Sequence, residues 1–381
     1  MPVYLDYNAT TPLRPEALTA MMPFLEGRFG NPSSTHALGR EARRAVELAR
    51  RDVLELCGTA RGEILFTSSG TEAVLLGVAG AARALRARGQ HVIVSAVEHS
   101  SGLEAARLLE AEGFSLSWVI PDAQGRIAPE RVMDLLRPDT ILVSIQHANN
   151  ETGVVQPIGE IGSLLSGTGT RVHVDAVQSA GKIPLDPDAW HAAYVSLAAH
   201  KLGGPKGVGV LWRAEGSPLL PLLPGTGERG LRGGTSNVSN LVGFGVAARL
   251  ARCELEAHAM RLTVLREAFE TSVAERIPSA AVTGRNAKRL PNTTHLTFDP
   301  GVGGDLVIAL DREGYAVSAG SACRSGSEEP SPVLLAMGMS PERARTALRV
   351  SLGRETTSAE LEGFVSALRR IVEARLALSE H

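Results

Sequence analysis

The sequence predicts an α/β fold: a mostly parallel seven-stranded sheet between helices, followed by a smaller α+β domain. Three observations carry this expectation. Short β-branched runs alternate with helical patterns from about residue 60 to 213. Several of the helical stretches stop at glycine. After "PGTGERGLRGGTSN" (224–237) the alternation gives way to one long helical segment.

Taken in order, the expected strands are "EILFT" (63–67), "HVIVS" (91–95), "SLSWVI" (115–120), "TILVSI" (140–145), "RVHVD" (171–175), "AYVSL" (193–197) and "VGVLW" (208–212). Amphipathic stretches such as "TEAVLLGVAGAARALRARG" and "SGLEAARLLEAEG" lie between several of them, as a sheet covered on both faces requires. Only about ten glycine-rich residues separate the last two strands, so one of these is free to run antiparallel. The long segment "LVGFGVAARLARCELEAHAMRLTVLREAFETSVAERI" leads to a Pro/Gly-punctuated stretch that ends in the helix "SAELEGFVSALRRIVEARLAL". The expected division is a large domain over 16–255 and a small one formed by 1–15 with 256–381.

Composition excludes several classes. The chain has 381 residues, 44% hydrophobic and 21% charged, with a net charge of -2, so neither a nucleic-acid footprint nor a membrane-surface patch is expected. No apolar run approaches the roughly 20 residues of a membrane helix. The start, "MPVYLDYNATTPLRPEAL", lacks the basic-then-apolar order of a secretory signal. Three cysteines argue against a disulfide framework and for a reducing, cytoplasmic setting. No metal site is expected. The chain has four lysines (182, 201, 206 and 288) against 35 arginines. Unlike arginine, a lysine can serve as an amine nucleophile or proton acceptor.

In open α/β sheets ligands lie beyond the carboxyl ends of the strands. After "EILF" comes "TSSGTEA", where Gly70 and Thr71 open a helix whose N–H groups suit a phosphate or are simply capped. After "HVIVS" comes His99, a ligand contact or a capping residue. After "TILVSI" come Asn149 and Asn150, for a ligand or a turn. Asp175 ends "RVHVD", with Gln178 three residues on. A carboxylate there needs a cation, either a protonated heterocycle nitrogen or an arginine. After "AYVSL" come His200 and Lys201, whereas Lys206, between proline and glycine, reads as a solvated turn residue. An acid and a lysine at strand ends of one sheet make a pair found in enzymes that use pyridoxal phosphate.

With these motifs in order, the sequence resembles the NifS/IscS-like cysteine desulfurases of the class V aminotransferase fold (fold type I of pyridoxal-phosphate enzymes). The resemblance runs over nearly the whole length, through "YLDYNATTP", "TSSGTEA", "VEHSS", "NNETGVVQPI", "VHVDAVQSAGK", "HKLGGPKGVG", "GERGLRGGTSN", "VSAGSACRSGS" and "LRVSLGRETT". It implies that Lys201 forms the internal Schiff base with pyridoxal 5'-phosphate. His99 would stack on the ring and move protons, and Asp175 would pair with the ring nitrogen. Gln178 and Asn150 would bond the phenolic oxygen or its surroundings, with Asn150 also near the substrate. Thr71, His200 and the N–H groups near Gly70 would cradle the phosphate. Thr235 would complete the cradle from a second subunit, which implies a homodimer. Arg349 would clamp the substrate carboxylate.

The chain departs from the family at two positions. Ala198 stands where relatives commonly carry a serine of the phosphate cup, and Gly227 where they often carry Gln or His. The chain also ends soon after its last expected helix, without the tail by which some relatives dock a scaffold protein.

The cysteines select the reaction. Cys57 closes the apolar "VLELC" and is expected to be buried packing; Cys253, within the long helix, reads the same way. Cys323 lies in "SAGSACRSGSEEPS", too small and polar to build a core, and Arg324 beside it favours the thiolate. The 323–332 segment is expected to be an arm that carries the thiol to the cofactor and away. The resemblance thus implies conversion of L-cysteine to L-alanine. Sulfur would be held on Cys323 as a persulfide and passed to acceptor proteins for iron–sulfur assembly or for tRNA or cofactor thiolation. The rivals are a selenocysteine lyase, a small-amino-acid aminotransferase of the same fold, and a non-catalytic partner protein.

Overall fold

The computed structural model describes residues 2–299, 302, 306–319 and 329–379. Its strands are β1 (Val3–Tyr4), β2 (Glu63–Thr67), β3 (His91–Ser95), β4 (Ser115–Val119), β5 (Thr140–Gln146), β6 (Arg171–Asp175), β7 (Tyr194–Ala198), β8 (Gly209–Arg213), β9 (Ala280–Val282), β10 (Thr293–Phe298), β11 (Tyr315–Ala316) and β12 (Leu348–Ser351). Strands β2 to β8 form one sheet in the order β2-β8-β7-β6-β5-β3-β4. All seven strands expected from sequence are present, each within a residue or two of its expected ends. Pairing is parallel except at β8, which runs antiparallel to both β2 and β7, as the short glycine-rich connection before it allows.

Burial follows the composition of each strand. β3, β5 and β7 are buried at every position, which fits near-continuous apolar runs covered on both faces. The edge strand β4 (SLSWV) alternates serine with larger residues and is mostly open to solvent. The chain steps outward from β5 through β6 to β7 on one side and from β3 to β4 on the other. The strand order therefore reverses between β3 and β5, and a crevice is expected beyond the carboxyl ends there.

A second core lies around β10, the centre of the antiparallel sheet β12-β10-β9. β1 pairs with β11, and Leu5 joins this core, so the extreme N-terminus packs beside the C-terminal part of the chain. The helix Val238–Arg276 serves both cores. Leu241, Phe244, Ala247, Ala248 and Ala251 face the first, and Leu262, Phe269 and Val273 the second. Between Ala251 and Leu262 the helix buries no residue, and here the sequence reading of Cys253 needs correction: its side chain is exposed rather than packed, because the helix is passing from one core to the other. Cys57 is fully buried, and burial pushes its thiol up to about 12. Among the described residues no helix is long and apolar enough to cross a membrane.

Candidate active site

Alternation along β6 sends Val172 and Val174 into the first core, while His173 is held between Ser144 Oγ and Ser196 Oγ, each at 2.9 Å. Asp175 ends the strand, buried, its Oδ1 accepting the Val177 N–H at 2.9 Å. Among the described residues no arginine or lysine lies within ion-pair distance of it, so the arginine salt bridge open at the sequence level is not what holds it. Burial pushes its carboxyl up to about 6, against the pull of the Val177 N–H and the charge of Lys201. A carboxyl pKa raised by folding contributes stability that is fully present below the unfolded value of 3.8 and lost as pH rises through about 6. Relative to wild type, cofactor-free Asp175→Asn is therefore expected to gain on the order of 3 kcal/mol between pH 4 and pH 8. Urea midpoints at the two pH values measure this, and an equal effect at both would contradict it.

After β7 the chain makes a single 3-10 turn, Ala199–Lys201. The Lys201 Nζ donates to the backbone carbonyls of Asn8 (2.6 Å) and Ala9 (2.8 Å). Next to it, the His200 carbonyl accepts the Thr11 N–H at 2.9 Å, and its ring Nδ1 faces Thr10 Oγ1 at 3.1 Å. Residues 8–11 thus dock on the turn that presents the lysine. His99 caps the helix Ser100–Ala111, its Nδ1 accepting the Ser101 N–H at 3.2 Å. Burial first, then Lys201, lowers the His99 imidazole to about 4; burial and the neighbouring lysines do the same to His200. Both rings are therefore neutral near pH 7.

The Arg349 guanidinium, only 1% exposed, donates to the Asn150 carbonyl at 3.0 Å and to Asp6 Oδ1 at 2.6 Å. Asn150 Oδ1 is buried and has no hydrogen-bond partner among the described residues. Gln178 donates from Nε2 to the Asn8 carbonyl at 2.9 Å. Gly70 begins the helix Gly70–Leu75, which Ser69 caps by accepting the Glu72 N–H at 3.1 Å. A Cβ added to Gly70 would come within 3.0 Å of Ala198 Cβ and 3.2 Å of Val177 Cγ2. The helix start therefore faces the end of β7 and the turn after β6, with Ala198 on the contact. Thr71 is exposed at this start. Thr235 is exposed too, in a separate groove of about 220 Å³ with Ser68, Glu228 and Arg232. Cys323 lies outside the described residues.

Three further residues belong to this cluster: Asn8 and Glu98, which no sequence pattern singles out, and Lys182, marked only as one of four lysines. Asn8 is a hub whose backbone and side chain meet Gln178, Lys182, Lys201, Asn150, Asn292, Thr293 and Ser351. Lys182 is buried against it. Glu98, next to His99 in the chain, is buried and accepts the Gln146 N–H at 2.6 Å, and burial, then the Asp175 charge, pushes its carboxyl well above the usual range. Of these, only the scarcity of lysine offered a sequence signal. A cleft of about 350 Å³ between the two cores is bordered by Tyr7, Arg14, Lys182, Lys201, His258 and Arg354. His99 and Asp175 do not line it, so Lys201 is where the cleft and the strand-end cluster meet.

The arrangement is that of an α/β enzyme with a lysine and a buried acid at adjacent strand ends. The model of the family "Aminotransferase class-V" matches residues 3–364. The chain belongs to that family, on its NifS/IscS-like cysteine desulfurase branch. It is 42% identical over 380 residues to a cysteine desulfurase IscS of Dictyoglomus turgidum (strain DSM 6724 / Z-1310), covering all of this chain and 96% of the relative. It is 44% identical over 366 residues to the IscS of Anaeromyxobacter dehalogenans (strain 2CP-C), covering 95% and 90%. Among solved structures, a NifS-like protein superposes with a TM-score of 0.91 at 35% identity, covering 98% of this chain and 100% of that one. A structure described as SspA in complex with cysteine gives 0.81 at 35%, covering 92% and 98%.

Proposed function

We propose that the chain takes the sulfur of L-cysteine onto Cys323 and releases L-alanine, using pyridoxal 5'-phosphate held by Lys201. The observation that carries this is Asp175 next to Lys201: a buried carboxyl within ion-pair distance of no lysine or arginine among the described residues, beside a lysine at the next strand end. The cluster fits the cofactor. Among the described residues Asp175 lacks the cation that a protonated ring nitrogen supplies and Asn150 Oδ1 lacks a donor, and the N–H groups opening the helix at Gly70 have no acceptor further up their own helix. Lys201, His99, Asp175, Gln178 and Asn150 would hold the ring, and Gly70, Thr71 and His200 the phosphate, joined by Thr235 of a second copy in a homodimer. When bound, the cofactor supplies an aldehyde for the lysine and a ring that stores the electron pair released at the substrate Cα.

The chain's own residues do the rest. Arg349 receives the substrate carboxylate, which competes with Asp6 for the guanidinium. Lys201 Nζ, released from the two carbonyls, takes the Cα proton, and neutral His99 moves protons at the reacting atoms. The Cys323 thiolate attacks the substrate sulfur. The C–S bond breaks with its electron pair left on carbon, which is protonated to give alanine, and Cys323 keeps the sulfur as a persulfide. A thiol or an acceptor protein of iron–sulfur assembly or of thiolation then discharges it. The reading also assigns 16–255 to the cofactor-binding unit and 1–15 with 256–381 to the unit that carries Cys323 and Arg349.

The test is an assay of the purified protein with cofactor, L-cysteine and a reducing thiol. Alanine and sulfide are expected in equal amounts without any keto acid. A requirement for a keto acid would favour an aminotransferase, and activity confined to L-selenocysteine a lyase.

A further inference from the structure

We propose that Lys182 is a positioning residue for the cofactor-holding lysine, fixing the amide of Gln178 and the carboxamide of Asn8 so that both serve Lys201. The proposal rests on the reading above, in which Lys201 carries pyridoxal phosphate and Gln178 bonds its phenolic oxygen.

Lys182 Nζ donates to Gln178 Oε1 at 2.9 Å and to Asn8 Oδ1 at 3.1 Å. With its oxygen taken by the amine, Gln178 turns Nε2 to the Asn8 backbone carbonyl, at 2.9 Å, and keeps one N–H for another acceptor. That same carbonyl receives Lys201 Nζ at 2.6 Å. The Asn8 side chain is fixed in turn, Oδ1 toward Lys182 and Asn292, Nδ2 toward Thr293 Oγ1 at 2.9 Å. The Asn8 carbonyl can only accept and Lys182 donates to the oxygen, so the two together hold the Gln178 amide in one orientation from both ends.

A buried ammonium with no anion is costly, and among the described residues Lys182 has no carboxylate partner. The charged and titratable groups around it include Lys201 and His200 on the sheet side and Arg349, paired with Asp6, from the second core. The cleft it borders is also lined by Tyr7, Glu16, His258, Arg354, Glu355 and Arg14, the last paired with Glu254. Burial, then the charges of Lys201 and Arg349, pushes its amine well below the usual lysine range. In its neutral form, which burial favours, the amine still donates to both amide oxygens and adds no charge next to Lys201. A guanidinium would be charged at every pH.

The experiment is a pH titration, by visible absorbance, of the Lys201-bound chromophore in the cofactor-loaded wild type, Lys182→Met and Lys182→Arg. In Lys182→Met the Gln178 oxygen loses its donor, the amide is held only at the Asn8 carbonyl, and its second N–H is no longer kept on the cofactor's phenolic oxygen. The chromophore pKa is expected to rise by about one pH unit. Lys182→Arg keeps the donors but adds a permanent charge, and the pKa is expected to fall. Opposite shifts support the proposal. Unchanged titrations with cofactor bound overturn it, since a purely structural lysine would alter melting temperature and not this pKa. Should Lys182→Met fail to fold, Lys182→Arg decides by the same criterion. A wild type that carries no Lys201 chromophore would overturn the underlying reading and this proposal together.

Discussion

Replacing Cys323 with serine is expected to lower sulfide release from L-cysteine by about a thousandfold or more, with cofactor content unchanged. The size follows from what the thiolate does. It forms the bond that accepts sulfur, and a serine hydroxyl, almost wholly protonated at neutral pH and hard where sulfur is soft, does not replace it. The other two thiols cannot stand in. Cys57 is fully buried with its thiol held protonated, and Cys253 lies on the long helix where it crosses between the cores. The assay is sulfide release in reducing thiol, with bound cofactor measured by absorbance. Full activity in the variant would remove the persulfide step from the mechanism.

Lys201→Ala is expected to lose more than about a thousandfold in alanine formation. Two functions go with the amine: the covalent hold on the cofactor and the transfer of the Cα proton. Lys201→Arg is expected to be equally inactive although it keeps the charge, because a guanidinium neither forms the bond nor accepts the proton. Lys206, five residues on, cannot compensate; it is exposed in a glycine turn, as its setting between Pro205 and Gly207 suggests. Activity above a few per cent in either variant would contradict the role given to Lys201.

Much of the large sheet was legible in the sequence because each strand is a short β-branched run bounded by turn residues, and these signals are local. That one of the last two strands runs antiparallel was legible too, through the length and glycine content of the connection between them; that it is β8 was not. Cys253 was misread because helical periodicity does not say when a helix leaves one core for another. Asp175, Lys201 and His99 stand out in the sequence because they follow predicted strands, and Arg349 because it lies in a motif of the family the sequence resembles. Asn8, Glu98 and Lys182 do not, since what distinguishes them is the partner each meets in space. Asn8 lies 193 positions from Lys201, and no pattern within one segment reports a backbone carbonyl that far away.

The most direct measurement is reduction of the cofactor-loaded protein with borohydride, followed by mapping of the modified peptide. All the chemistry assigned to the chain passes through one ε-amine, and four lysines make the map unambiguous. The pyridoxyl group is expected on Lys201 alone. Its recovery on Lys182, or on no peptide at all, would contradict the assignment.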